Sequence, residues 1–96
     1  MKVELSDEAD AQVAEIDAWW RMNREKAPGL FTDELEKALD DLGSTPSLGV
    51  VYRRGDPAVR RLLLERTHYY LYFIEQADRI YVVAVWSCFR GRGPRL

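Results

Sequence analysis

Apolar and polar residues change period several times along the chain, and each change marks an element. Lys2 to Leu5 alternates polar and apolar positions, the period of a short strand. The spacing then becomes helical. Ala9, Val13, Ile16 and Trp20 lie four, three and four residues apart and form one apolar stripe. Ser6 precedes that stripe as an N-cap, with Asp7 and Glu8 in the first turn, where the helix dipole favours anions. The pattern predicts a helix running to about Lys26. Pro28 suits the first turn of a second helix, because its missing N–H costs nothing there. Phe31, Leu35, Ala38, Leu39 and Leu42 make the second stripe, Gly43 provides a C-terminal stop, and Pro46 prevents continuation. The short connection around Pro28 predicts an antiparallel helical hairpin. Trp19, Trp20 and Phe31 are expected in its core.

The second half returns to a period of two. Val50 to Tyr52 reads as a short extended piece within a loose stretch that holds Gly43, Pro46, Gly49, Gly55 and Pro57. Val59 to Leu64 reads as a strand and Glu65 to Thr67 as a turn. His68 to Ile74 is the next strand, Gln76 to Asp78 a hairpin loop, and Arg79 to Trp86 the last strand. The expected fold is α+β: a helical hairpin packed on one face of a small, mainly antiparallel sheet, in the order β-α-α-β-β-β. One domain over residues 1–96 is expected, since 96 residues suffice for one small core. The last strand shows two apolar faces, Ile80/Val82/Ala84/Trp86 and Tyr81/Val83/Val85. A hairpin covers only one of them, so a partner is expected on the other.

Charge sharpens this division. The net charge of −2 conceals a polarised chain. Residues 1–51 carry five basic and twelve acidic groups, and residues 52–96 carry nine arginines against four acids. The bland explanation is pairing between an acidic helical layer and a basic sheet. The alternative is a recognition surface, which arginine suits through its planar, weakly hydrated fork. Arg60 and Arg61 are neighbours on a strand, so their side chains leave from opposite faces.

Other chemistry is sparse. The single Cys88 forms no internal disulfide and fits a reducing cytoplasm. Exposed among arginines it would be a reactive thiol; a small buried residue is the expected role. His68, the only histidine, is expected to be structural. No apolar run approaches the ~20 residues of a membrane span, and Met1 to Leu5 lacks the apolar core of a signal peptide. There is no phosphate-binding Gly loop and no metal-ligand spacing, so no cofactor is expected.

The element order, the strand Val59-Arg60-Arg61-Leu62-Leu63-Leu64, the Tyr69-x-x-Tyr72 strand, and Val83-x-Val85-Trp86 followed by Arg90-Gly91-Arg92 together resemble the RelE/ParE superfamily of toxins. These are the toxin halves of type II toxin–antitoxin modules, which serve plasmid stabilisation among other roles. The resemblance spans essentially the whole chain. It implies a cytoplasmic toxin bound by a cognate antitoxin in a hetero-oligomer, with Tyr81, Val83 and Val85 as the antitoxin-binding face. It also implies one of two targets. RelE-like members cleave mRNA on the ribosome, without a metal, through basic side chains and a proton-transfer group. ParE-like members inhibit DNA gyrase. Arg61, Arg90 and Arg92 match basic positions of the nuclease. Leu63 and Tyr70 replace further basic residues, and Ser87 and Cys88 follow Trp86 where many relatives have His. The chain is therefore nearer ParE, with Arg60, Arg61, Arg90, Arg92 and Arg95 as the target-binding residues. The alternatives are a ribosome-dependent endoribonuclease using Arg61, Arg90 and Arg92, and a decayed module that only binds its antitoxin.

Overall fold

The computed structural model describes residues 1–96. Strand β1 (Lys2–Leu5) leads into helix α1 (Asp7–Asn23), and a turn carries the chain back through α2 (Leu30–Ser44). Four strands follow: β2 (Val50–Arg53), β3 (Val59–Leu64), β4 (Tyr69–Glu75) and β5 (Arg79–Ser87). They form one five-stranded sheet in the order β1-β5-β4-β3-β2. Only β1 runs parallel to its neighbour, pairing Val3 with Ile80 and Leu5 with Val82. The expected α+β layering is present, and the extended piece at Val50 is a full edge strand.

Local chemistry sets the helix ends. The Ser6 hydroxyl accepts from the Ala9 N–H, and Asp7, Glu8 and Asp10 occupy the first turn. Helix α1 stops at Asn23, three residues short of the expected end. The Asn23 amide donates to the Trp19 carbonyl, and the Arg24 N–H closes on Trp20. Pro28 sits in the turn from Ala27 to Leu30, not inside α2; its fixed φ suits the second position of such a turn. Gly29 is the N-cap, and Gly43 lies within the last turn of α2.

The helices cover one sheet face. Ala9, Trp20, Phe31, Leu35, Ala38 and Leu42 pack on Leu64, Leu71, Phe73, Ile80, Val82 and Val85. Each large apolar side chain buried there contributes about 1.5–3 kcal/mol. Trp20 and Phe31 belong to this core, with the Trp20 indole donating to the Tyr69 hydroxyl. Trp19 does not: it is 46% exposed, because it lies one residue off the stripe.

The two faces of β5 differ from the simple alternation. Tyr72 pairs with Ala84 but Phe73 pairs with Val82, so Val83 is an extra residue in a β-bulge. The bulge keeps Val83 and Ala84 on one side and sends Val85 to the helix face. Val85 is buried in the main core, and its N–H donates to the Gln12 side chain. It is therefore removed from the expected antitoxin-binding set, while Tyr81 and Val83 remain half-buried on the second face.

That second face is also more covered than its apolar residues suggest. Val59, Tyr72 and Ala84 are buried there, with Tyr70, Ile74, Val83 and Trp86 around them. The C-terminal tail supplies the cover. The Trp86 indole donates to the Arg92 carbonyl, and Arg53 donates to the Leu96 carbonyl. Nine residues after β5 thus fold back across the sheet, held at Arg92 and at Leu96.

Two surface carboxylates each tie neighbours within one layer, Glu4 joining β1 to β5 and Asp17 joining α1 to α2. Hydrogen bonds from Lys2 and Arg79 hold the Glu4 carboxyl below its usual 4.5, and those from Thr32 and Arg21 hold Asp17 below 3.8. A depressed native pKa stabilises the fold above the unfolded value, and the contribution disappears as the pH falls through the native one. Stability is expected to hold down to about pH 5 and to decline on further acidification, most carboxylates having unfolded values near 4. Glu4→Gln and Asp17→Asn should flatten part of that decline, read as melting temperature against pH.

Candidate functional site

Period-two alternation on β3 separates its two arginines. Leu62 and Leu64 point to the helices, and Arg60 lies on their side. Its guanidinium donates to the carbonyls of Ser47 and Gly49, clamping the α2–β2 connection. The Arg60 Nε is buried without a partner, a cost accepted for two loop carbonyls satisfied. Arg60 is therefore engaged with the α2–β2 loop, on the sheet face away from Arg61.

Arg61 takes the other face. It pairs across from Tyr72, and Val50 pairs with it on the edge strand. Its guanidinium lies 4.1 Å from the Tyr70 ring centroid and 5.1 Å from that of Tyr52. Tyr52 in turn meets the Tyr72 ring edge-on at 4.8 Å. Burial works against the charge of Arg61. The hydrogen bond to Tyr72 and the phenols of Tyr70, Tyr72 and Tyr52 outweigh it, and its pKa rises above the usual value. The side chain is charged and held flat by aromatic stacking.

Chain reversal after β5 brings a second guanidinium to the same place. Arg90 stacks on Trp86 at 4.1 Å. Together Tyr52, Arg61, Tyr70, Tyr72, Trp86 and Arg90 wall a cup of about 160 Å³, closed by Ser87, Cys88 and the Gly91-Arg92-Gly93 run. A Cβ on Gly93 would overlap the Tyr52 hydroxyl, so a larger residue there would displace the end of the Tyr52 side chain. Arg95 lies farther along the tail, beside Glu8, Pro57 and Val83. Of the expected arginines, Arg61, Arg90 and Arg92 converge; Arg60 and Arg95 do not.

Two protonatable groups of the cup, Tyr72 and Cys88, are poor bases. Burial pushes the Tyr72 phenol up despite the opposing Arg61, and burial likewise raises the Cys88 thiol. His68 lies outside, in a turn with φ of 64°, its ring against Phe89. No three His, Cys, Asp or Glu side chains gather as metal ligands.

The electrostatic pattern answers the charge asymmetry. Every side-chain ion pair uses Lys2, Arg21, Lys37 or Arg79. No carboxylate side chain reaches Arg61, Arg90 or Arg92, and none lines the cup. The acidic helices therefore form no ion pair with the basic end of the sheet, although Glu15 of α1 lines a neighbouring cavity with Arg90. Sequence reasoning missed the role of the tyrosines. The signal was present, since Arg61 alternates with apolar neighbours on β3 while Tyr70 and Tyr72 alternate on β4. Their register, however, is set only by pairing.

Comparison with known proteins gives these features a family. Residues 3–90 match the family described as ParE toxin of type II toxin-antitoxin system, parDE. The match runs from β1 to Arg90 and leaves the closing tail outside it. Among solved structures, a chain of the chromosomal ParDE TA system from P. aeruginosa superposes with a TM-score of 0.72. It is 19% identical, and the alignment covers 91% of this chain and 95% of that one, a likeness of fold. Curated protein sequences give no match. No helix here is long and apolar enough to cross a membrane. The family match over nearly the whole chain, on a helical hairpin and sheet of the ParDE type, means that this chain belongs to the ParE toxin family of type II toxin–antitoxin systems.

Proposed function

We propose that this chain poisons DNA gyrase in the cytoplasm by docking the Arg61–Arg90 end of its sheet on it, and that a cognate antitoxin neutralises it. Family membership supports the toxin role. The observation that carries the docking mode is the group of uncompensated guanidiniums, Arg61, Arg90 and Arg92, around one cup. Binding accounts for this cup better than RNA cleavage does. The nuclease would need a base for the 2′-hydroxyl, and Tyr72 and Cys88 are both held protonated at neutral pH. The antitoxin segment is assigned to Tyr81 and Val83, the half-buried β5 residues of the second face.

Induction in a bacterium, with and without the antitoxin, tests this reading. Filamentation and an SOS response are expected, together with loss of supercoiling by purified gyrase and rescue by the antitoxin. Arg90→Ala with Arg92→Ala should cut toxicity strongly at an unchanged melting temperature, since both side chains lie in an exposed tail. Unchanged toxicity in that double variant removes the cup from the mechanism. Rapid translational arrest with mRNA cut at codon positions overturns gyrase as the target.

A further inference from the structure

The geometry points to the cup as a receptor for a carboxylate on an apolar-flanked, acidic peptide segment of the protein target. This rests on the docking role proposed above and says what the docking surface recognises. The first argument is preorganisation. Arg61 is stacked on Tyr70 and Tyr52, and Arg90 on Trp86. The rings hold both guanidiniums in place; Arg61 spends one hydrogen bond on Tyr72, and the remaining N–H groups of Arg61 and Arg90 suit a carboxylate acceptor.

The second argument is complementarity. No acidic side chain lines the cup; Glu15 shares a neighbouring cavity with Arg90 but forms no ion pair with it, so the cup is open to a carboxylate from outside. The surroundings are apolar. Val50, paired with Arg61, is 62% exposed, and Leu63, two residues along the same face, is 40% exposed. These side chains suit the aliphatic neighbours of an acidic residue. A sugar–phosphate backbone would offer them nothing.

The third argument separates peptide from nucleic acid. Residues 1–51 carry twelve acidic groups against five basic, and the whole chain is net negative. An extended polyanion would meet that repulsion beyond the cup. A single carboxylate side chain, held within a cup of about 160 Å³, does not.

The test uses the full chain and three probes: a blocked hexapeptide of alternating Leu and Glu, its Leu/Gln counterpart, and a single-stranded hexanucleotide. NMR reports the Trp86 indole and the Arg61 and Arg90 Nε–H signals. The Leu/Glu peptide is expected to shift all three saturably, and the Leu/Gln peptide to shift none. Arg90→Gln, in the tail and outside the core, should weaken binding about tenfold, equivalent to the loss of about 1.4 kcal/mol. Equal binding of the Leu/Gln peptide, absence of saturation, or preference for the hexanucleotide would each overturn the inference. The gyrase reading fails separately. Gyrase inhibition retained by Arg61→Gln/Arg90→Gln refutes the cup and keeps the target, whereas peptide binding without gyrase inhibition keeps the cup and refutes the target.

Discussion

Phe31→Ala is expected to lower the unfolding free energy by about 3–5 kcal/mol, a large share of the 5–15 kcal/mol typical of small domains. Phe31 is fully buried in the first turn of α2. Its ring meets Tyr69 edge-on at 5.1 Å, and Tyr69 accepts the hydrogen bond of the Trp20 indole. The truncation therefore opens a cavity where both helices meet β4. Phe31→Leu should recover much of the loss because it keeps most of the volume. Urea denaturation with a shared m-value measures both variants, and a cost below about 1 kcal/mol for the alanine would place Phe31 outside the core.

Gly49→Ala should be nearly as damaging, at more than about 2 kcal/mol, for two reasons that add. The residue adopts φ of 87°, a conformation that a Cβ disfavours. That Cβ would also lie 2.6 Å from the Arg61 carbonyl and 3.1 Å from the Phe73 ring. The loop cannot shift outward without breaking the Arg60 bonds to Ser47 and Gly49. Because Gly49 touches the backbone of Arg61, the defect should reach the cup. Stability and toxicity are expected to fall together, unlike in Arg90→Ala/Arg92→Ala. Unchanged thermal melting in Gly49→Ala would mean that this loop is not clamped as described.

The fold was legible wherever local chemistry carries the signal. Ser6 caps α1 as its hydroxyl and following acids require. The strands Val59–Leu64 and Tyr69–Glu75 appear within one residue of the alternation that predicts them. The opposite directions of Arg60 and Arg61 follow from strand geometry alone. Other features depend on partners distant in sequence. The extra residue at Val83 is defined only against Tyr72 and Phe73, and it reverses the face of Val85. The engagement of Arg60 with the carbonyls of Ser47 and Gly49 is set by the α2–β2 loop. Trp19 follows Trp20 in sequence yet lies outside the core, because one helical step turns it about 100° away.

The sequence by itself determined the elements, the layering and the charge division, because periodicity, capping and composition act over one or two turns of chain. It also carried the resemblance to a toxin family that the comparison then established. Only the tertiary structure decided where the arginines go. Arg61 enters a cage of Tyr52, Tyr70 and Tyr72, and Arg90 returns on the reversed tail to stack on Trp86. Strand register, a single bulge and a glycine under the Tyr52 hydroxyl bring those residues together. Each is a contact between segments tens of residues apart, and no local pattern encodes it. The same contacts fill much of the second sheet face with the chain's own tail and leave its basic end without an internal ion pair.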